Sequence, residues 1–186
     1  RGKYGDQEVQ KTKEECQNCT AGRYSDSTGV NELVDCVPCA AGKYSNEIGN
    51  TKDSDCVNCR SGRWNDQERS IDEISCQTCG EGRFSADVGV VTEVSCESCP
   101  EGFDQSEKGS SYCQVCAAGS IHNATGGVSC DKCVPGKYRA VDDLPATICF
   151  DCPNGWLSDT GSTNCQPCGA GTFSNITGEK CQDCFV

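Results

Sequence analysis

Twenty of the 186 residues are cysteine, and they fall into ten C-x-x-C pairs. Cysteine at that spacing supports three chemistries: reversible thiol exchange, zinc ligation and structural disulfide bonding. The pairs are Cys16/Cys19, Cys36/Cys39, Cys56/Cys59, Cys76/Cys79, Cys96/Cys99, Cys113/Cys116, Cys130/Cys133, Cys149/Cys152, Cys165/Cys168 and Cys181/Cys184. A bridge inside one pair closes a small, strained and reducible loop, which suits redox catalysis. Such an enzyme carries one pair on a βαβ scaffold, not ten on turn-rich sequence. Zinc has a better spacing argument, because C-x2-C-x16-C-x2-C from Cys16 to Cys39 fits a ribbon, and five such sites would use every thiolate. Zinc modules are mostly intracellular and often basic, however, and no alternation of spacer length marks where one site ends.

Structural bridging leaves two schemes open. The one we favour joins the second cysteine of each pair to the first of the next: Cys19–Cys36, Cys39–Cys56, Cys59–Cys76, Cys79–Cys96, Cys99–Cys113, Cys116–Cys130, Cys133–Cys149, Cys152–Cys165 and Cys168–Cys181. Cys16 and Cys184 would then bond residues outside this window. Each bridge closes a loop of roughly 15 residues, contributing about 3 kcal/mol in the chain-entropy model. The rival pairs like with like, Cys16–Cys36 with Cys19–Cys39 and onward, and predicts alternating spacers. Pair-to-pair intervals of 20, 20, 20, 20, 17, 17, 19, 16 and 16 residues do not alternate.

A second pattern is locked to the first. Three residues after nine of the pairs comes a glycine: Gly22, Gly42, Gly62, Gly82, Gly102, Gly119, Gly136, Gly155 and Gly171, with Gly2 a tenth that lacks its preceding pair. Two residues later stands an aromatic in most units (Tyr4, Tyr24, Tyr44, Trp64, Phe84, Tyr138, Phe173), with Ile121 and Leu157 in the same slot and Phe103 and Trp156 one place early. The unit reads C-x-x-C-x-x-G-x-aromatic-S-x-x-x-G. Asx residues two places after the aromatic slot (Asp6, Asp26, Asn46, Asp66, Asn123, Asp159, Asn175) favour tight turns, and Gly29, Gly49, Gly89, Gly126, Gly161 and Gly178 follow them. The next cysteine stands 10 to 14 positions after the corner glycine, a variation that marks a surface loop tolerant of deletion.

These spacings predict small disulfide-rich repeats: an elongated rod of short β-hairpin and turn units with little regular secondary structure. Four stretches follow: 1–15, a partial repeat; 16–99, regular 20-residue repeats; 100–164, irregular repeats; and 165–186, a short repeat with the start of the next. Apart from cysteine the apolar content is too low for one conventional core, so cross-links must hold the fold, and these persist in oxidising compartments. The expected location is extracellular: secreted, cell surface or appendage. With 16 basic against 28 acidic residues, net −12, the surface repels nucleic acid and anionic lipid. No run of apolar residues is long enough for membrane insertion of this segment.

The run Cys36-Val37-Pro38-Cys39-Ala40-Ala41-Gly42-Lys43-Tyr44-Ser45-Asn46-Glu47-Ile48-Gly49 resembles the ephrin-receptor-like cysteine-rich repeat, related in pattern to the first cysteine module of tumour-necrosis-factor receptors. The resemblance covers essentially the whole chain, most clearly 16–99 and 165–184. It implies an elongated extracellular rod and, from the receptor modules, a bridge from the cysteine before Gly-x-Tyr to the first cysteine of the next pair. Uninterrupted arrays of such units are similar to those in large surface proteins of protists and algae.

Three N-glycosylation sequons are present: Asn18-Cys19-Thr20, Asn123-Ala124-Thr125 and Asn175-Ile176-Thr177. Asn123 and Asn175 hold the Asx-turn slot of an exposed loop; Asn18 lies between cysteines. His122, the sole histidine, reads as a solvated loop residue, and no nucleophile–base pair is apparent. The aromatic slots read as rings packed on their own bridges in a row of miniature cores. No cofactor is expected; calcium on scattered carboxylates such as Asp142 and Asp143 stays open as the alternative, although no dense loop appears. The expected function is non-enzymatic: a structural segment of a long extracellular repeat protein in a filament, surface appendage or matrix. Its partners would be neighbouring repeats of the same or identical chains and N-linked glycans. The alternative is a receptor or adhesion ectodomain binding a protein through the irregular region, with Phe103, Tyr112, Phe150 and Trp156 the residues to test.

Overall fold

A computed structural model describes residues 1–5, 16–28, 32–174 and 180–184, with Val34 described by its backbone alone. Among the described residues the strands are two residues long and form ten two-stranded sheets. Each hairpin starts on the residue after a corner glycine in most repeats and returns on the two residues between the cysteines of the next pair. Lys3 faces Asn18 and Tyr4 faces Gln17; Arg63 faces Thr78 and Trp64 faces Gln77; Lys137 faces Asp151 and Tyr138 faces Phe150. The strands are this short because a turn begins immediately on one side and a committed cysteine stands on the other.

The corner is a four-residue turn. Arg63 N–H donates to the Arg60 carbonyl at 3.1 Å, and Gly62 between them has φ +76°. A type II turn needs a positive φ at its third residue, which glycine adopts without steric cost. The chain divides into two compact units: residues 1–80, 84–97 and 108–111, and residues 81–83, 98–107 and 112–186.

Nine disulfides join Cys19–Cys36, Cys39–Cys56, Cys59–Cys76, Cys79–Cys96, Cys99–Cys113, Cys116–Cys130, Cys133–Cys149, Cys152–Cys165 and Cys168–Cys181. Their α-carbons stand 5.7–5.9 Å apart, the common value for unstrained bridges. Bridged cysteines are 17 apart in the first four loops and 14 apart in the next two. The difference of three residues is one short 3-10 turn. Leu33–Asp35, Asp53–Asp55, Glu73–Ser75 and Glu93–Ser95 form such turns just before the cysteine, and the described part of the shorter loops holds none.

The buried interior is cystine and polar groups. Among the described residues the buried apolar side chains are twelve cysteines, Val90 and Ala146. Beside them lie Ser25, Ser45, Asn65, Ser85, Gln105, Arg139, Ser158 and Ser174, each three positions after a corner glycine.

Candidate functional site

What this architecture builds repeatedly is a joint between hairpins. In the first unit Gly2 N–H donates to the Ser25 carbonyl at 2.8 Å, Gly22 to Ser45 at 2.9 Å, Gly42 to Asn65 at 2.7 Å and Gly62 to Ser85 at 2.8 Å. The same residues then reach one hairpin further: Ser25 N–H donates to Asn50 at 3.0 Å, Ser45 to Ser70 at 3.0 Å and Asn65 to Val90 at 2.9 Å. A third row returns, from Gly49, Arg69, Gly89 and Gly109 N–H to the carbonyls of Cys19, Cys39, Cys59 and Cys79 at 2.8–2.9 Å. Each hairpin is therefore tied to the next and to the one after it. Backbone groups that a chain without long strands would otherwise bury unpaired are satisfied this way.

The close approach explains the corner glycine a second time. A Cβ on Gly62 would lie 2.0 Å from the Gly109 carbonyl oxygen, and one on Gly22 2.4 Å from that of Arg69. At Gly155 and Gly171 the same position meets nothing within 4 Å, although both keep φ near +80°.

The second unit continues the rows, with Gly82 N–H to Gln105 at 2.8 Å, Gly102 to His122 at 2.7 Å and Gly119 to Arg139 at 2.9 Å. Among the described residues, one repeat breaks the third row. The slot filled by Gly126 and Gly161, whose N–H groups donate to Cys99 and Cys133, holds Pro145, which has no N–H. The Cys116 carbonyl accepts instead from Arg139 Nη2 at 2.6 Å. The guanidinium also donates to the carbonyls of Ala117 at 2.6 Å, Ser120 at 2.7 Å and Asp143 at 3.0 Å. Arg139 is 1% exposed, so a buried cation is held by four backbone oxygens and, at 3.3 Å, by Ala140.

The basic residue after the corner glycine went unnoticed in the sequence. Arg63 Nη1 donates to the Cys76 carbonyl at 3.0 Å, and Arg23 Nη1 makes the same bond to Cys36. Lys43 pairs with Asp53 and Lys137 with Asp151 at 2.6 Å. Its signal was available: Lys or Arg recurs at Lys3, Arg23, Lys43, Arg63, Arg83 and Lys137.

Of the sequons, Asn123 and Asn18 are both exposed, and Asn18 lies in the strand opposite Lys3. Asn175, with Asp6, Gly29 and Gly178, lies outside the described residues. Cys16 is half-buried and Cys184 exposed, both unbridged. His122, expected in solvent, is instead half-buried, with its Nδ1 lacking a hydrogen-bond partner. The reason is its position three after Gly119, the slot that turns inward in the other repeats. Tyr24, Tyr44, Trp64 and Tyr138 are half-buried, whereas Tyr112, Phe150, Trp156 and Phe173 are exposed. The Asp143 carboxylate accepts from Ala140 N–H at 2.9 Å, and among the described residues no three His, Cys, Asp or Glu side chains converge as metal ligands. No described helix is long and apolar enough to cross a membrane. No protein-family model and no curated protein matches this chain.

Proposed function

We propose that this chain is a non-enzymatic structural segment of a long extracellular protein built from ephrin-receptor-like cysteine-rich repeats, serving in a filament, surface appendage or matrix. The observation that carries the reading is the three-row hydrogen-bond joint, in which described hairpins within a unit hold the two that follow them. Joints between hairpins one and two places apart spread load along a chain and need no ligand. Nine disulfides suit an oxidising, extracellular setting. Partners in this reading are further repeats of the same or identical chains.

An antibody to this segment, used in immuno-electron microscopy of the native cells, should decorate extracellular fibres or matrix at regular intervals. Label spread over the plasma membrane without fibres would overturn the reading. That outcome would favour a receptor or adhesion ectodomain, for which exposed Tyr112, Phe150 and Trp156 supply apolar contact.

A further inference from the structure

Within the second unit an open cleft of about 410 Å³ lies beside the hairpins Ser120–Ile121/Asp131–Lys132 and Lys137–Tyr138/Phe150–Asp151. Its apolar surface comes from Ile121, Val134 and Ile148, with Lys132, Lys137 and Thr147 among the polar groups. Val134 and Ile148 are each 56% exposed, so none of the described residues covers this surface. Asn123, the acceptor residue of the sequon Asn123-Ala124-Thr125, itself lines the cleft and is exposed. Ile121 ends the strand Ser120–Ile121, and Asn123 follows two residues later, so both reach the same cleft.

We propose that the cleft seats the first sugars of an N-linked glycan carried by Asn123. The chemistry of the occupant matches the walls. The C–H face of a pyranose and the methyl of an N-acetyl group are apolar and suit Ile121, Val134 and Ile148. Ring hydroxyls and the acetamide accept from the Lys132 ammonium and exchange hydrogen bonds with Thr147. The Lys132 head is available for this: its stem packs against Gly161, and among the described residues no carboxylate pairs with its ammonium. A covalent tether at the rim also presents the sugar at an effective concentration on the order of millimolar, so a contact too weak for a free saccharide suffices. The attachment forms a bond between the Asn123 amide nitrogen and the anomeric carbon of a polyprenyl-pyrophosphate-linked oligosaccharide. The carbon–oxygen bond to pyrophosphate breaks, the polyprenyl pyrophosphate leaves, and the amide nitrogen loses one proton.

The inference rests on the extracellular part of the proposed function, since the sugar is added only on a secretory route. The test is to secrete the 186-residue chain from a eukaryotic line as wild type, Ile148→Asp, Val134→Asp and Thr125→Ala. Glycopeptide mass spectrometry measures occupancy at Asn123, peptide:N-glycosidase under native conditions measures the release rate, and hydroxyl-radical labelling reads Ile121, Val134 and Ile148. An occupied Asn123 is expected, released about tenfold faster in either Asp variant, the scale set by losing some tens of Å² of apolar contact. Labelling of the three side chains should rise in Thr125→Ala. Two variants at exposed positions guard against a folding artefact, and non-reducing mobility checks the bridges. Equal release rates and equal labelling would overturn the seated glycan, as would an unoccupied Asn123. Cleft protection that persists in Thr125→Ala and grows with protein concentration would assign the surface to a second copy and also overturn it. A chain that is secreted and fully bridged but fails these readouts leaves the structural reading standing; one retained with reduced thiols removes both.

Discussion

The 20-residue repeats of the first unit and the Pro145 repeat of the second reach the same joint by different means. In the first unit a small residue, serine or asparagine, fills the inward slot after the aromatic, and the backbone N–H of Gly49, Arg69, Gly89 or Gly109 closes the third row. In the Pro145 repeat the backbone donor is missing, and the inward slot holds Arg139, whose side chain supplies it. The joint is thus defined by carbonyls that must be satisfied, and not by a fixed donor. One arrangement costs almost no side-chain entropy. The other orders a long cation in a buried position, a cost offset by five bonds to carbonyls, among them that of Cys116, whose backbone donor the proline removes.

The largest effect that separates corners should come from glycine itself. Gly62→Ala combines a positive φ with a Cβ 2.0 Å from the Gly109 oxygen, so the hairpins must part. Loss of about 4 kcal/mol is expected, in the range reserved for backbone strain together with a broken network. Gly155→Ala carries the same φ strain in open space and should cost only about 1–2 kcal/mol. Calorimetry of the two variants, with all nine bridges intact, gives the comparison. Equal losses would mean that the corner glycine serves only its turn and that the close approach is unimportant.

Next in size is the exchange at Arg139. Arg139→Ser removes the donor to the Cys116 carbonyl and the side-chain bonds to the carbonyls of Ser120 and Ala117, the last of which keeps the Ser120 N–H, and about 3 kcal/mol should be lost. Pro145→Gly restores an N–H to the slot occupied by Gly126 and Gly161 in neighbouring repeats. In the double variant the regular arrangement is rebuilt, so its stability should lie well above the sum of the single losses. A double-mutant cycle by thermal unfolding measures the coupling, and strict additivity would show that the arginine and the proline are unrelated.

The contrast between these regions also shows what a sequence can disclose here. Hairpin positions were legible because the C-x-x-C-x-x-G spacing places each corner and each return strand by counting. The favoured bridging pattern was legible for the same reason, since only a uniform linkage suits spacers that do not alternate. The joint was not legible, because its donors and acceptors lie one and two hairpins apart and are mostly backbone atoms, which leave no trace in residue type. His122 shows the consequence: beside Asn123 it looks like a loop residue, yet counting from Gly119 gives it the inward slot. Arg139 was hidden likewise, as a basic residue in an acidic surface and not as the substitute for a missing N–H.

The smallest effect concerns the 3-10 turns that the longer loops have and the shorter ones lack. In Asp53–Asp55 the Asp55 carboxylate accepts from Thr51 N–H at 2.8 Å and from Lys52 N–H at 3.2 Å. The Thr51 bond, foremost among several favourable contacts, holds its carboxyl below the ordinary carboxylate range. A depressed pKa in the folded state means that the contribution is complete above the ordinary carboxylate pKa and disappears as pH falls through the lowered value. Asp55→Asn should therefore lower the melting temperature slightly at neutral pH, and the two curves should converge in strong acid. Because Asp55 is half-buried at the surface and its carboxylate still faces solvent ions, the gap should also shrink with added salt. Melting curves from about pH 7 to about pH 2 test this, with a matching substitution at an exposed strand residue outside any turn, Asp131→Asn, as the reference. A gap that stays constant across that range would assign the effect to the amide's shape and not to the charge, and the extra turn of the longer repeats would then be held by chain geometry alone.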